Sequence, residues 1–146
     1  MAERTVFQSL SQKHVLSLGP HASVWEAACA MTRANCGSIL VMEPPEKLLG
    51  ILTERDLMTR VVARALDPKK TPASEVMTAH PVCVAPETKV SDAVLIMLER
   101  GFRHLPIVGP DKKILGVFSV RDALPREIGT ALSQAEFNEQ MNDALG

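Results

Sequence analysis

Apolar positions recur in two registers that repeat along the chain. Val24, Ala27, Ala28 and Met31 fall at i, i+3, i+4 and i+7, and Val90, Ala93, Val94, Met97 and Leu98 repeat that spacing and carry it to i+8. This period puts them on one face of a helix. Unbroken apolar runs of strand length follow each helix, at 38–42 and 48–52, then at 105–108 and 114–118. Their connections, Glu43-Pro44-Pro45-Glu46 and Gly109-Pro110-Asp111-Lys112, are rich in turn formers, which predicts two hairpins. A short extended run precedes each helix, at 15–18 and 82–84, ended by Gly19-Pro20 and by Pro86. Ser23 and Glu26 predict a capping box at the first helix start. Asn35 and Gly101 stand just past the two helix ends and suit the left-handed conformation that stops a helix. A second helix is predicted to begin near Thr53, and another near Ser119.

These elements come in two copies. Slid by 66 residues, positions 14–57 fall on 80–123 without a gap, with 11 identities in 44 positions. The matched pairs include His14/His80, Pro20/Pro86, Gly50/Gly116, Arg55/Arg121 and Asp56/Asp122. Each copy reads β-α-β-β-α, so the fold class is α+β. A unit of some 50 residues buries too little surface to be secure alone. Two pseudo-twofold-related units packed through their sheets are therefore expected. The chain divides into an N-terminal extension (1–13), repeat 1 (14–66), a polar linker with two prolines (67–74), repeat 2 (75–125) and a C-terminal helical extension (126–146). That extension is expected to pack through Leu132, Ala135, Phe137 or Met141.

Composition narrows the function classes. The chain has 146 residues, 46% of them hydrophobic, and a net charge of -1. A core is affordable, and the basic excess of a nucleic-acid binder is missing. With four Phe, one Trp and no Tyr, base-stacking platforms are poorly supplied. Cys29, Cys36 and Cys83 form no C-x-x-C pair, and His14, His21, His80 and His104 lack metal-ligand spacing, so neither a disulfide framework nor a metal site is expected. Cys29 and Cys83 read as small buried hydrophobes. No signal peptide or membrane span is expected, which implies a cytoplasmic protein. No nucleophile elbow, P-loop or zinc-protease motif is present, so no catalytic residues and no catalytic cofactor are expected.

The repeated feature that carries chemistry is a strand ending in Gly, then a hydroxyl, then an Asp: Gly50-Ile51-Leu52-Thr53-Glu54-Arg55-Asp56 and Gly116-Val117-Phe118-Ser119-Val120-Arg121-Asp122. Two readings stand side by side. A Thr or Ser at a strand-to-helix junction with an acidic residue three positions on is an ordinary helix N-terminus. The same hydroxyl and amide groups suit a phosphate, and a carboxylate one turn along suits ribose hydroxyls.

This ending resembles the tandem CBS-domain pair, or Bateman module, as do the strand Arg103-His104-Leu105-Pro106-Ile107-Val108 and the Glu75-Val76-Met77-Thr78 opening of copy two. The resemblance covers about residues 5–125. It implies a regulatory module that binds an adenine nucleotide (AMP, ADP, ATP or NAD(H)) in two clefts and senses energy or redox state. The principal cleft would use Thr53 for phosphate, Asp56 for ribose, Arg103 and His104 for phosphate, and His80, Pro81 and Val82 beside the adenine. The second would use Ser119 and Asp122, with His14, Val15 and Leu16 near the base. There Gly37 and Ser38 replace the Arg-His pair, so the cationic clamp is lost. Arg55 and Arg121 either lean toward phosphate or are solvated. Helix 54–66 is more apolar than one side of a small sheet needs, which fits either core packing or a homodimer seam. The regulated protein partner is not named by the sequence. The competing reading is an interaction subunit with vestigial clefts. A cysteine redox sensor would need a thiol with a lowered pKa.

Overall fold

A computed structural model describes residues 2–10 and 15–145; His14, singled out above, lies outside them. The elements in order are α1 (Val6–Ser9), β1 (Ser17–Leu18), α2 (Val24–Ala34), β2 (Ser38–Glu43), β3 (Lys47–Thr53), α3 (Glu54–Asp56) and a π-helical segment (Leu57–Val62). Then come α4 (Ala73–Val76), β4 (Thr78–Ala79), α5 (Val90–Arg100), β5 (His104–Val108), β6 (Ile114–Ser119), a 3-10 turn (Val120–Asp122) and α6 (Pro125–Leu145). The fold is α+β with two sheets, as the alternating periodicities predict.

The chain forms two compact units. The first is Val15–Pro81, with a sheet in the order β1-β2-β3-β4, where β1 runs parallel to β2 and the other pairs are antiparallel. Val24, Ala27 and Met31 of α2 pack with Ile39, Val41, Leu52, Val61 and Val76. The second unit joins residues 2–10 to the chain from Val82 onward and holds the β5-β6 hairpin. Val90, Val94 and Met97 of α5 pack there with Val6, Leu105, Ile107 and Phe118.

The duplication is reproduced in detail. Helices α2 and α5 coincide at both ends after the 66-residue shift. Both stop in the left-handed region, at Asn35 (φ 53°) and Gly101 (φ 75°). Both hairpins shift register at the equivalent place, between Val41 and Met42 and between Ile107 and Val108. Leu18 pairs in parallel with Val41, and Val84 with Ile107. Half of the predicted capping box at α2 is formed: Ser23 Oγ accepts from the Glu26 amide at 3.1 Å.

The connecting segments differ from expectation. The residues read as a polar linker are hydrogen-bonded to the first unit, where the Val24 amide donates to Thr71 O, Trp25 to Pro68 O and Ala73 to Ala22 O. Lys69 Nζ lies 5.1 Å from the Trp25 ring centre. After the linker, α4 and β4 stay with the first unit, and β4 pairs with β3. The segment ahead of repeat 1 behaves in the same way toward repeat 2: α1 packs on its core, and the amides of Val6 and Phe7 donate to Thr88 O and Pro86 O. Each repeat's leading segment thus folds onto the body of the other repeat.

Glycine marks both places where this happens. A Cβ on Gly50 would stand 2.5 Å from Met77 Sδ and 2.7 Å from Thr78 O, and one on Gly116 would stand 2.7 Å from Leu10 Cδ1. The identity Gly50/Gly116 is thus a demand for backbone space.

The helix predicted over 54–66 is α-helical only to Asp56 and π-helical from Leu57 to Val62. Val61 is buried, while Met58 (59% exposed) and Val62 (73%) face outward. In copy two the helix predicted from Ser119 is reduced to the 3-10 turn, because Leu124-Pro125 breaks the path and α6 starts afresh. On α6, Ala131 is buried and Ile128 is packed on the core, whereas Leu132, Phe137 and Met141 are largely exposed, unlike their expected packing role. Cys83 is also exposed, not buried, and Cys29 is half-buried.

Candidate functional site

Each motif closes a strand and opens a turn of helix, so backbone geometry fixes its side chains. Thr53 is the N-cap of α3. Its Oγ1 accepts from the Asp56 amide at 3.2 Å. In return, Asp56 Oδ2 accepts from the Thr53 amide at 3.0 Å and from Thr53 Oγ1 at 3.1 Å. This is a full capping box, and Asp56 is 7% exposed. Its other oxygen, Oδ1, lies 3.6 Å from Arg60 Nε, a charge contact too long for a hydrogen bond. The Arg60 guanidinium also donates from Nη1 to the carbonyls of Val76 (3.2 Å) and Met77 (3.1 Å).

The second motif is looser. Ser119 caps the 3-10 turn, with Oγ accepting from the Arg121 amide at 3.3 Å, and Asp122 Oδ2 accepts from the Ser119 amide at 2.9 Å. Asp122 is only half-buried. Its carbonyl accepts from Arg4 Nη2 at 3.0 Å. Arg4 also grips Glu127 with two bonds, Nε to Oε2 at 3.0 Å and Nη2 to Oε1 at 2.7 Å. Glu127 Oε1 accepts in addition from the Leu124 amide at 2.7 Å, near the start of α6. The Arg4 bonds hold the Glu127 carboxyl below its ordinary range and push the Arg4 guanidinium further toward the charged form.

The predicted residues gather by unit. In the first unit, Ser38 pairs with Thr53 across β2 and β3, and the Glu54 amide donates to Gly37 O, so Gly37, Ser38, Thr53 and Asp56 share one strand end. Leu16 joins that sheet through its carbonyl, which accepts from Leu40. His80, exposed at φ 51°, donates its amide to Leu49 O, so it and the following Pro81 lie along β3 away from the Thr53 end. In the second unit, His104 pairs with Ser119 and the Val120 amide donates to Arg103 O. Arg103, His104, Ser119 and Asp122 therefore share the equivalent end. Val82 is packed against the second unit's core, and Val15 is half-buried in the first. Within a unit, then, each motif Asp neighbours the partner pair assigned above to the other cleft. Arg55 and Arg121 are both exposed.

The sequence reading missed Arg60, Arg4 and Glu127. A faint signal existed for the first: Arg60 and Arg126 repeat the 66-residue spacing just beyond the aligned window. Partial desolvation pushes the Cys83 thiol up although the residue is exposed, the opposite of what a redox sensor needs. Among the described residues no group of three His, Cys, Asp or Glu is placed to hold a metal, and no helix is long and apolar enough to cross a membrane.

Comparison with known proteins places this geometry. The sequence matches the CBS domain over residues 7–63 and 73–127. The meiotically up-regulated gene 70 protein of Schizosaccharomyces pombe is 34% identical over 125 residues, which are 80% of this chain but 17% of that protein. A 17.7 kDa protein of Acidianus ambivalens is 36% identical over 118 residues, 81% of this chain and 70% of its own length. A CBS domain protein from Pyrobaculum aerophilum, solved in complex with AMP, superimposes with a TM-score of 0.78 at 25% identity, covering 90% of this chain and 100% of that one.

Proposed function

Since the chain belongs to the CBS-domain family, we propose that it is a regulatory module that binds an adenine nucleotide, AMP, ADP, ATP or NAD(H), and reports energy or redox state to a protein partner without catalysing a reaction. The observation that carries this reading is the duplicated strand-end motif. Thr53 with Asp56, and Ser119 with Asp122, present the same hydroxyl and carboxylate on the same backbone frame. Asp56 Oδ1 accepts no hydrogen bond among the described residues, so it retains lone pairs for a ribose hydroxyl. Arg103 and His104 beside Ser119, and exposed Arg55 and Arg121, supply cationic or donor groups for phosphate. A family relative solved with AMP bound supports the ligand class.

We further propose a homodimer in the cytoplasm. The exposed stripe of Met58, Val62 and Leu66 supports a seam.

The test is thermal unfolding of the purified protein with and without AMP, ADP, ATP and NAD(H), joined to mass spectrometry of any co-purified small molecule. An adenine nucleotide should raise the Tm, and Asp56→Ala should remove most of the shift. No shift with any of the four would remove the reading. One observation favours the alternative, an interaction subunit with vestigial clefts: Asp56 is nearly buried and completes a capping box. Recovery from cells with a protein partner and no nucleotide would decide for that alternative.

A further inference from the structure

We propose that Arg60 is a positioning residue for the nucleotide half-site of the first unit. This inference rests on the reading of Asp56 as a ribose anchor. The Arg60 side chain touches both the motif and the segment that arrives from the linker. Its Nε faces Asp56 Oδ1, and its Nη1 donates to the carbonyls of Val76 and Met77. Those carbonyls immediately precede β4, which lies along β3 at Ile51 and Gly50 and ends at Ala79, one residue before His80. A planar guanidinium can serve a carboxylate and two carbonyls at once, which a single ammonium point charge does poorly. The π-helical path through Leu57–Val62 carries Arg60 on the turn after Asp56. So one side chain holds its charge against the Asp56 oxygen that the capping box leaves unused and ties down the start of the strand that leads to His80 and Pro81.

The other unit solves the same problem with a different residue. There the arriving segment carries the arginine: Arg4 donates to Asp122 O and clasps Glu127. In both units a guanidinium ties the Asp-bearing turn to the segment contributed from ahead of the other repeat. Yet Arg126, which stands where Arg60 does in the repeat, follows Pro125 and does not carry this bond. Both arginines tie the Asp-bearing turn to the arriving segment, but Arg4 meets the Asp122 main-chain carbonyl and Arg60 alone of the two faces the motif carboxylate, so the positioning role is assigned to Arg60.

The experiment titrates AMP and adenosine into wild type, Arg60→Ala and Arg60→Lys, each checked for native circular dichroism, and follows amide hydrogen exchange at His80. Loss of a residue that orients a ligating group costs roughly tenfold or more in affinity. Arg60→Ala is therefore expected to weaken AMP and adenosine about equally, by about tenfold, and to speed exchange of the His80 amide that donates to Leu49 O. Arg60→Lys should fall between, and it carries the test if the alanine variant does not fold. Unchanged affinity for both ligands would overturn the proposal, whatever happens to exchange. Weakening of AMP alone would also overturn it, since that is the mark of a direct phosphate contact. If wild type binds neither ligand, the nucleotide reading itself has failed and Arg60 has nothing to position.

Discussion

Gly50 lies so close under Met77 that an added methyl would meet Sδ at 2.5 Å and the Thr78 carbonyl at 2.7 Å. The second obstacle is backbone of β4, which is held by its pairing with β3 and cannot rotate aside. At Gly116 the obstacle is Cδ1 of Leu10, the end of a side chain that can change rotamer. Gly50→Ala should therefore cost about 1–3 kcal/mol, in the range of overpacked cores, and Gly116→Ala clearly less. Urea unfolding of the two variants tests the ordering. An equal loss would mean that β4 yields as readily as a leucine.

What the sequence made legible follows the range of the interactions. Helices α2 and α5 were readable almost residue by residue, since apolar spacing and the cap residues Asn35 and Gly101 act locally. Both hairpins were readable for the same reason. The placement of 5–10 and 72–77 was not. Thr5 bridges Lys89 and Pro72 bridges Ser23 in equivalent ways, but the two segments share no residue that an alignment would flag, and their partners are far away in sequence. The reduced second helix of copy two was signalled by Pro125, which stands where copy one has Thr59. The site was legible as a motif only. Thr53 and Asp56 serve as a helix cap and also present groups that suit a nucleotide, so residue identity alone does not separate the two roles.

The helix stops give a prediction free of packing. Gly101 adopts φ 75°, and a Cβ there would meet nothing within 4 Å. Gly101→Ala thus carries a purely conformational cost of about 1–2 kcal/mol. Gly101→Asn should lose less than half as much, since Asn35 occupies the equivalent left-handed position at φ 53°. Chemical denaturation of the two variants measures the difference, and alanine and asparagine behaving alike would refute it.

The Arg4–Glu127 pair predicts a pH dependence of stability. The Glu127 carboxyl is lowered from its ordinary 4.5, chiefly by the Arg4 bonds. A carboxyl that binds its proton less tightly when folded stabilises fully above the ordinary value, and that contribution disappears as pH falls through the lower folded value. Arg4 stays charged throughout and sets no part of this window. Glu127→Gln should unfold more easily at neutral pH by roughly 1.5–3 kcal/mol, the value of hydrogen bonds to charged groups. Below the window its stability should approach that of wild type. A constant gap between the two proteins from neutral pH down into the acid range would show that Glu127 titrates as an unpaired carboxyl.

The apolar stripe after Asp56 predicts the state of assembly. Met58 and Val62 are 59% and 73% exposed, and Leu66 adds a third apolar surface at the same spacing. On the second unit, Leu124 and Leu132 stand at the positions equivalent to Met58 and Leu66 and are likewise exposed. Surface of this kind on a chain of net charge -1 favours self-association over solvation. Val61, between the two most exposed residues, belongs to the core, so aspartates at Met58 and Val62 spare the fold. Light scattering should find wild type as a dimer at micromolar concentration and the Met58→Asp/Val62→Asp double variant as a monomer with an unchanged circular dichroism spectrum. Neither residue touches Thr53 or Asp56 by any bond in the structure, so the nucleotide-induced rise in Tm should survive in the monomer. A monomeric wild type, or a double variant that still dimerises, would assign the stripe to another role.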